Sequence, residues 1–269
     1  MRKVYNLEQL AQTLKSGETK IFIMFEDCSY LYNTLKEDYG VDLNDFSLCS
    51  WNTSKVTNME AMFAYAYSFN QPLNSWDTSN VTNMKCMFSC CSYFNQPLNK
   101  WDTSKVTDMS CMFSYAKHFN QSLNGWNTSN VTNMKNMFSY AKYFNRPLNS
   151  WDTSKVTDLS GMFMCASYFN RPLNDWDTSN VVNMECMFMY TNYFNQPLNN
   201  WNTSKVTNLS YMFACTGSFN QSLNKWDTSK VTDLSYMFSC ASSFNQSLKS
   251  WDWDISSVKI GVEDYLNTD

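Results

Sequence analysis

The sequence predicts an α/β solenoid with one short strand and one short α- or 3₁₀-helix in each 25-residue repeat, closed at its start by an α/β cap. Three observations carry that prediction. Trp recurs at 51, 76, 101, 126, 151, 176, 201, 226 and 251, a 25-residue step without insertion. A Met-Phe pair keeps the same step from Met62-Phe63 to Met237-Phe238, and so does Phe-Asn from Phe69-Asn70 to Phe244-Asn245. Eight copies therefore run from Trp51 to Ser250. A period of about 20–50 residues marks an array in which each unit buries its apolar face only against its neighbours.

Residues 1–45 lack the 25-residue pattern and are read as an N-terminal α/β cap. Leu7, Leu10, Ala11 and Leu14 keep helical spacing, Asn6 with Gln9 can cap the start, and Gly17 suits the end. Lys20–Glu26 (KIFIMFE) reads as a strand, and Leu31–Tyr39 as a second helix ended by Gly40. Such a segment covers the apolar face of the first coil. The eight repeats fill 46–250, and 251–269 is read as a C-terminal cap.

Within a copy, positions are counted from its Trp as slot 1. The fifth copy places Trp151, Val156, Leu159, Met162, Phe163, Ala166, Phe169 and Leu173 at slots 1, 6, 9, 12, 13, 16, 19 and 23. A strand over slots 1–3 would turn Trp and Thr inward and leave Asp or Asn at slot 2 outside, because side chains alternate along a strand. From slot 6 to slot 19 the apolar spacings are three and four, which asks for a short helix with one buried face, and Thr157 is its expected N-cap. The recurring Asn at slots 20 and 24, such as Asn145 and Asn149, are expected to satisfy turn backbone groups. Leaving one such buried group unpaired costs roughly 1–3 kcal/mol. The expected core holds Trp76, Trp101, Trp126, Trp151, Trp176, Trp201 and Trp226 with Phe138, Phe163 and Phe188. A second period overlies the first: slot 5 runs Lys55, Asn80, Lys105, Asn130, Lys155, Asn180, Lys205, Lys230, which points to growth by 50-residue pairs.

A net charge of −4 argues against nucleic acid as a partner, since phosphate binding needs clustered Lys and Arg. The longest fully apolar run, Ile21–Phe25, is far short of a membrane span, so no transmembrane segment is expected. The start, MRKVYNLEQLAQTLKSGE, shows no signal core or lipidation Cys, so a cytoplasmic or virion setting is expected over secretion. The ten cysteines read as free thiols, although Cys86/Cys111 and Cys215/Cys240 share slots in adjacent copies and could be bridged.

The run Trp76-Asp-Thr-Ser-Asn-Val-Thr-Asn-Met84 through Met87-Phe88, repeated over three quarters of the chain, resembles the BspA-type leucine-rich repeat family, in its W-D-T-S-x-V-T-x-M-x-x-M-F subfamily. The resemblance implies a right-handed, leucine-rich-repeat-like solenoid. Members of that family occur as surface proteins and lipoproteins of bacteria and mycoplasmas, and in large DNA viruses and protists, with adhesion or partner binding suggested for some.

Catalysis is not expected. A repeat presents one residue many times, whereas an active site needs a few residues placed once. His118 is the single histidine and fills a slot held elsewhere by Tyr or Ser, so it reads as a surface residue. Cys86, Cys90, Cys91 and Cys111 do not match a zinc spacing, and no glycine-rich phosphate loop exists among six Gly, so neither metal nor cofactor is expected. The informative slots are the variable 14, 15, 17 and 18, rich in Tyr and Met, residues enriched at interfaces. The expected protein-contact residues are Tyr140, Tyr143, Met164, Tyr168, Met189, Tyr190 and Tyr193, centred on copies four to six. The reading is a non-catalytic scaffold for protein–protein interaction or self-assembly. Its alternatives are a surface adhesin or glycan- or ice-binding module using the strand ladder and its Thr ranks at slots 3 and 7, or a structural component of a virion.

Overall fold

The computed structural model describes residues 1–251. The expected C-terminal cap therefore lies outside the described residues, apart from Trp251. At the start, β1 (Arg2–Val4) and β2 (Ile21–Ile23) pair in parallel, with Arg2 opposite Ile21 and Val4 opposite Ile23. α1 (Leu7–Lys15) joins them and buries Leu10, Ala11 and Leu14. Its start is fixed by side chains: Asn6 Oδ1 accepts from the Gln9 N–H, and Gln9 Oε1 accepts from the Tyr5 N–H, both at 2.9 Å. α2 (Leu31–Tyr39) ends on Gly40 at φ 64, the left-handed closure that glycine adopts without a Cβ clash.

The repeats are built differently from the strand-and-helix expectation. Among the described residues, no copy contains a helix. Slots 11 and 15 are left-handed in all eight copies, as at Cys86 (φ 55) and Cys90 (φ 61). A right-handed helix cannot pass through either. The three-and-four spacing instead marks a chain of turns. The N–H of Met87 donates to the Met84 carbonyl, Ser89 to Cys86 and Cys91 to Phe88, while the alternate N–H groups of Met84, Cys86, Phe88 and Cys90 donate to the following copy at 2.7–3.1 Å. Every second amide thus closes a turn, and the others join copies. With positive φ at its third residue, the turn from slot 9 to slot 12 has the pattern of type II.

The expected strand pairing at slots 1–3 is present in the first copy, where Asn52 bridges in parallel to Phe22 of β2, but among the described residues the later copies pair elsewhere. Parallel pairing joins slot 8 of successive copies, Asn58 to Asn83 to Asp108 and on to Asp233. In those later copies the slot-1 and slot-3 backbone is already used in local turns: Trp76 N–H donates to Leu73, three residues back, at 3.0 Å, and the Thr78 carbonyl accepts from Val81 at 2.9 Å. Side chains make the cross-copy bonds there instead. Trp76 Nε1 donates to the Leu48 carbonyl at 2.9 Å, and Thr78 Oγ1 donates to the Asp102 carbonyl at 2.9 Å. Thr157 is correspondingly no helix cap. Its N–H donates to Thr132 in the preceding copy at 3.0 Å.

The backbone ladder also runs back into the N-terminal segment, which the 25-residue count excluded. Asp27 pairs with Asn58, and the N–H groups of Cys28, Tyr30 and Tyr32 donate to Asn58, Glu60 and Met62 at 2.9–3.0 Å. Tyr30, at φ 53, takes the left-handed place of slot 11. Asp27-Cys-Ser-Tyr-Leu-Tyr32 is a partial copy of the pattern in Asp233-Leu-Ser-Tyr-Met-Phe238, set back 31 residues from Asn58 rather than 25. It satisfies the carbonyls that the first copy would leave open.

Rings fill the interior. The tryptophans from Trp76 to Trp226 are at most 4% exposed, and Phe138, Phe163 and Phe188 are fully buried. Within a copy Phe163 lies 3.9 Å from Phe169, centroid to centroid, and between copies Phe163 lies 5.8 Å from Phe138 and 5.7 Å from Phe188. Offset-stacked rings at these distances contribute roughly 0.5–1.5 kcal/mol per pair beyond their buried area.

Candidate functional site

The left-handed residue at slot 15 reverses the chain direction after the buried Phe of slot 13, and the residues around it face outward. Tyr140, Tyr143, Tyr168, Tyr190 and Tyr193 are all exposed there, whereas Met164 and Met189 at slot 14 are half-buried. The seven expected contact residues therefore do not form one surface layer.

Slot 18 forms a continuous ladder of rings, exposed at its tyrosines and half-buried at His118. Tyr93, His118, Tyr143, Tyr168 and Tyr193 follow one another with centroids 5.3, 5.5, 5.5 and 5.3 Å apart. Two of these rings, Tyr93 and His118, were not among the expected contact residues. His118 sits inside the stack, with Nδ1 2.8 Å from the Ser92 carbonyl. The signal was available, because its slot carries Tyr in four other copies. The Lys142 ammonium lies 5.5 Å from the Tyr143 ring centroid, within cation–π reach.

Beside this ladder, slots 15 and 17 enclose a groove of ≈ 570 Å³. Tyr115 and Tyr140, stacked at 4.2 Å, line one side, and Lys117 and Lys142 line the other. Its lining runs from Tyr67 in the first copy to Cys165 and Ser167 in the fifth. The groove is centred on the third copy, whereas the expected contact was centred on copies four to six. The Tyr140 hydroxyl is pushed up to about 12, first by its hydrogen bond to Cys165 and then by the charge repulsion of that thiolate. It therefore stays protonated at neutral pH and is a donor as well as an acceptor.

The polar ranks at slots 20 and 7 bond to the neighbouring copies. At slot 20, Asn70 Oδ1 accepts from the Asn95 N–H at 2.9 Å, and Asn95 Oδ1 from the Asn120 N–H at 2.9 Å. These asparagines pair with the neighbouring copy, not with their own turn. The slot-3 threonines are buried, Thr53 through Thr228, so that rank offers nothing to an external ligand. The slot-7 rank is mostly exposed, but Thr82, Thr107, Thr132 and Thr157 each direct Oγ1 to the preceding copy at 3.3 Å. Among the described residues, no group of three or more His, Cys, Asp or Glu is placed to hold a metal ion, and no helix is long and apolar enough to cross a membrane. The cysteines of the cluster separate: Cys91 is buried with its thiol on the Phe63 carbonyl, while Cys86 and Cys111 face one another.

No curated protein and no solved structure matches the chain. A family described as "Mycoplasma protein of unknown function, DUF285" matches residues 19–146, 122–214 and 170–263, overlapping segments that take in nearly the whole chain. The overlap follows from the 25-residue period, which lets one profile align in more than one register. On that coverage the chain belongs to this Mycoplasma repeat family.

Proposed function

We propose that the chain is a non-catalytic repeat scaffold that docks a protein partner, or a second copy of itself, on the slot-15 and slot-18 face. In this reading the ladder of copies is one continuous coil, a right-handed leucine-rich-repeat-like solenoid, and the resemblance to BspA-type repeats supports that shape. The observation that carries the proposal is the exposed ring ladder from Tyr93 to Tyr193. Tyr143 is 37% exposed and Tyr193 55%, in a chain that buries the rings of its Trp and slot-13 and slot-19 Phe ladders almost completely. Rigid aromatic rings with a polar tip lose little entropy on contact and are over-represented where proteins meet.

The experiment compares the parent with a Tyr143→Ser, Tyr168→Ser, Tyr193→Ser triple variant. Sedimentation velocity reads self-association, and quantitative pull-down from the native source reads partners. The expected result is loss of an oligomer or of a specific partner with thermal unfolding unchanged. An identical oligomeric state and identical partner set in the two proteins would remove this face from the function.

A further inference from the structure

We propose that Cys86 and Cys111 form a peroxide-reactive dithiol that closes into a disulfide between the second and third copies. Both occupy slot 11, and the Cys86 N–H donates to the Ser110 carbonyl at 2.8 Å, so they stand in register. They share the same left-handed backbone, φ 55 and 56, so their Cα–Cβ bonds leave the chain in the same sense. Two residues on, Phe88 and Phe113 stack with centroids 5.6 Å apart. Chains paired in parallel lie roughly 4.8 Å apart, within the roughly 4.4–6.8 Å between Cα atoms that a disulfide spans. The two thiols are free, half-buried and in side-chain contact.

The surroundings divide the roles. Cys111 stands between Cys86 and Asn136, the slot-11 residue of the next copy, with Lys135 beside it. The Cys86 hydrogen bond, the Asn136 amide and the Lys135 charge hold the Cys111 thiol down at about 7, against burial and the Asp108 carboxylate. The same thiol–thiol contact, together with burial and Glu60, pushes Cys86 up, and Lys85, which opposes this, is engaged by Glu60 at 3.1 Å. The neighbours carry the assignment: Lys85 beside Cys86 is engaged by Glu60, while Lys135 and the Asn136 amide stand beside Cys111, which makes Cys111 the attacking thiolate in this proposal and Cys86 the resolving thiol.

The oxidant is a hydroperoxide. The Cys111 thiolate attacks one peroxide oxygen, the O–O bond breaks, and the leaving alkoxide takes a proton, giving a sulfenic acid and an alcohol (or water). The Cys86 sulfur then attacks the Cys111 sulfur. The S–O bond breaks, and hydroxide departs with the Cys86 proton as water. Two thiols lose two electrons, and one peroxide gains them.

The test treats the intact reduced chain with hydrogen peroxide and follows each cysteine by peptide mass spectrometry. Cys49, exposed beside Ser47, is the internal comparison. The expected result is a Cys86–Cys111 cross-link appearing at least about tenfold faster than oxidation of Cys49. In Cys86→Ser, Cys111 accumulates as a sulfenic acid trapped by dimedone; in Cys111→Ser, Cys86 stays a thiol. Slot 11 already holds Ala61, Asn136 and Gly161, so these exchanges suit the fold. Oxidation of Cys49 at the same rate or first, or no cross-link between 86 and 111, overturns the proposal. Sulfenylation of Cys86 at the parental rate in Cys111→Ser overturns the assignment of roles.

Discussion

Lys105 Nζ donates to Asn80 Oδ1 at 2.7 Å, and the other end of the same amide donates to the Ser54 carbonyl at 2.9 Å. The arrangement repeats two copies on, where Lys155 reaches Asn130 at 2.7 Å, and again where Lys205 reaches Asn180 at 2.6 Å. This gives the 50-residue period at slot 5 a physical reason. Asn is the one side chain there that can accept from a Lys on one side and donate to a carbonyl on the other, and its neutrality separates the ammonium groups. Asn130→Lys would place three ammonium groups in consecutive copies. Like charges on stacked, exposed positions repel weakly, so a loss of about 0.5–1 kcal/mol is expected at low salt. Urea unfolding at low and high ionic strength checks it, because screening should recover most of the loss.

The indole ladder allows a comparison within one protein. Trp151 Nε1 donates to the Leu123 carbonyl at 3.0 Å, while Trp51 Nε1 is buried without an acceptor, since no full copy precedes it to supply a slot-23 carbonyl. Both exchanges to Phe lose similar apolar area, but Trp151→Phe removes a hydrogen bond to the Leu123 carbonyl, which keeps only the one from the Trp126 N–H at 3.0 Å, whereas Trp51→Phe removes a buried N–H that has no acceptor. The Trp151→Phe protein is expected to be less stable than the Trp51→Phe protein by roughly 1–3 kcal/mol. Equal denaturation midpoints for the two would show that the indole hydrogen bond contributes nothing measurable.

Slots 11 and 15 explain why part of the fold was illegible. Left-handed backbone is ordinarily signalled by Gly or Asn, yet these slots hold Cys, Tyr and, at 61, Ala, with Gly161 and Asn136 as the two residues that carry the signal. Without the turn signature, spacings of three and four read as a helix, although the same spacings follow from turns closed at every third residue. The burial of slots such as Trp151, Phe163 and Leu173 was readable, because it depends only on which residues are large and apolar. The caps of α1 at Asn6, Gln9 and Gly17 were readable for another reason: capping is local. The partial copy at 27–32 escaped notice because its offset from the first copy is 31 residues. The slot of His118 marked it as a surface residue, but not that its ring lies between Tyr93 and Tyr143, since stacking between copies depends on spacing and ring orientation.

The strained slots yield a prediction of opposite signs at one residue. Cys186 is half-buried at φ 55. Gly carries no Cβ penalty there, while a β-branched side chain is the worst tolerated in that region. Cys186→Val is expected to be less stable than Cys186→Gly by about 2 kcal/mol, the left-handed cost for an L-residue plus the crowding of the second branch. Thermal melts of the two variants decide it, and a Val variant equal to the Gly variant would mean that the backbone at slot 11 relaxes to another conformation.

Slot 2 sets the acid response. In Asp102, Asp152, Asp177 and Asp227 the carboxyl is held below the usual range by hydrogen bonds from the hydroxyl and N–H of the Ser two residues on. A carboxyl whose folded value is depressed binds fewer protons folded than unfolded, so its contribution is complete above the unfolded value near 3.9 and is lost as pH falls through the lower folded value. Each group is largely exposed, so each contribution is small, but the slot repeats and the losses coincide in pH. Asn52, Asn127 and Asn202 hold the same slot and make the same acceptor bond, with Asn127 Oδ1 3.0 Å from the Ser129 nitrogen. Exchanging the four Asp for Asn should therefore preserve the fold at neutral pH and flatten the acid limb of the stability curve. Urea midpoints of parent and variant, measured from neutral pH down through the carboxylate range, are expected to converge at neutrality and separate in acid, with the variant higher. Parallel curves would assign the acid response to other carboxylates, because the Asn side chain supplies the acceptor without the titration.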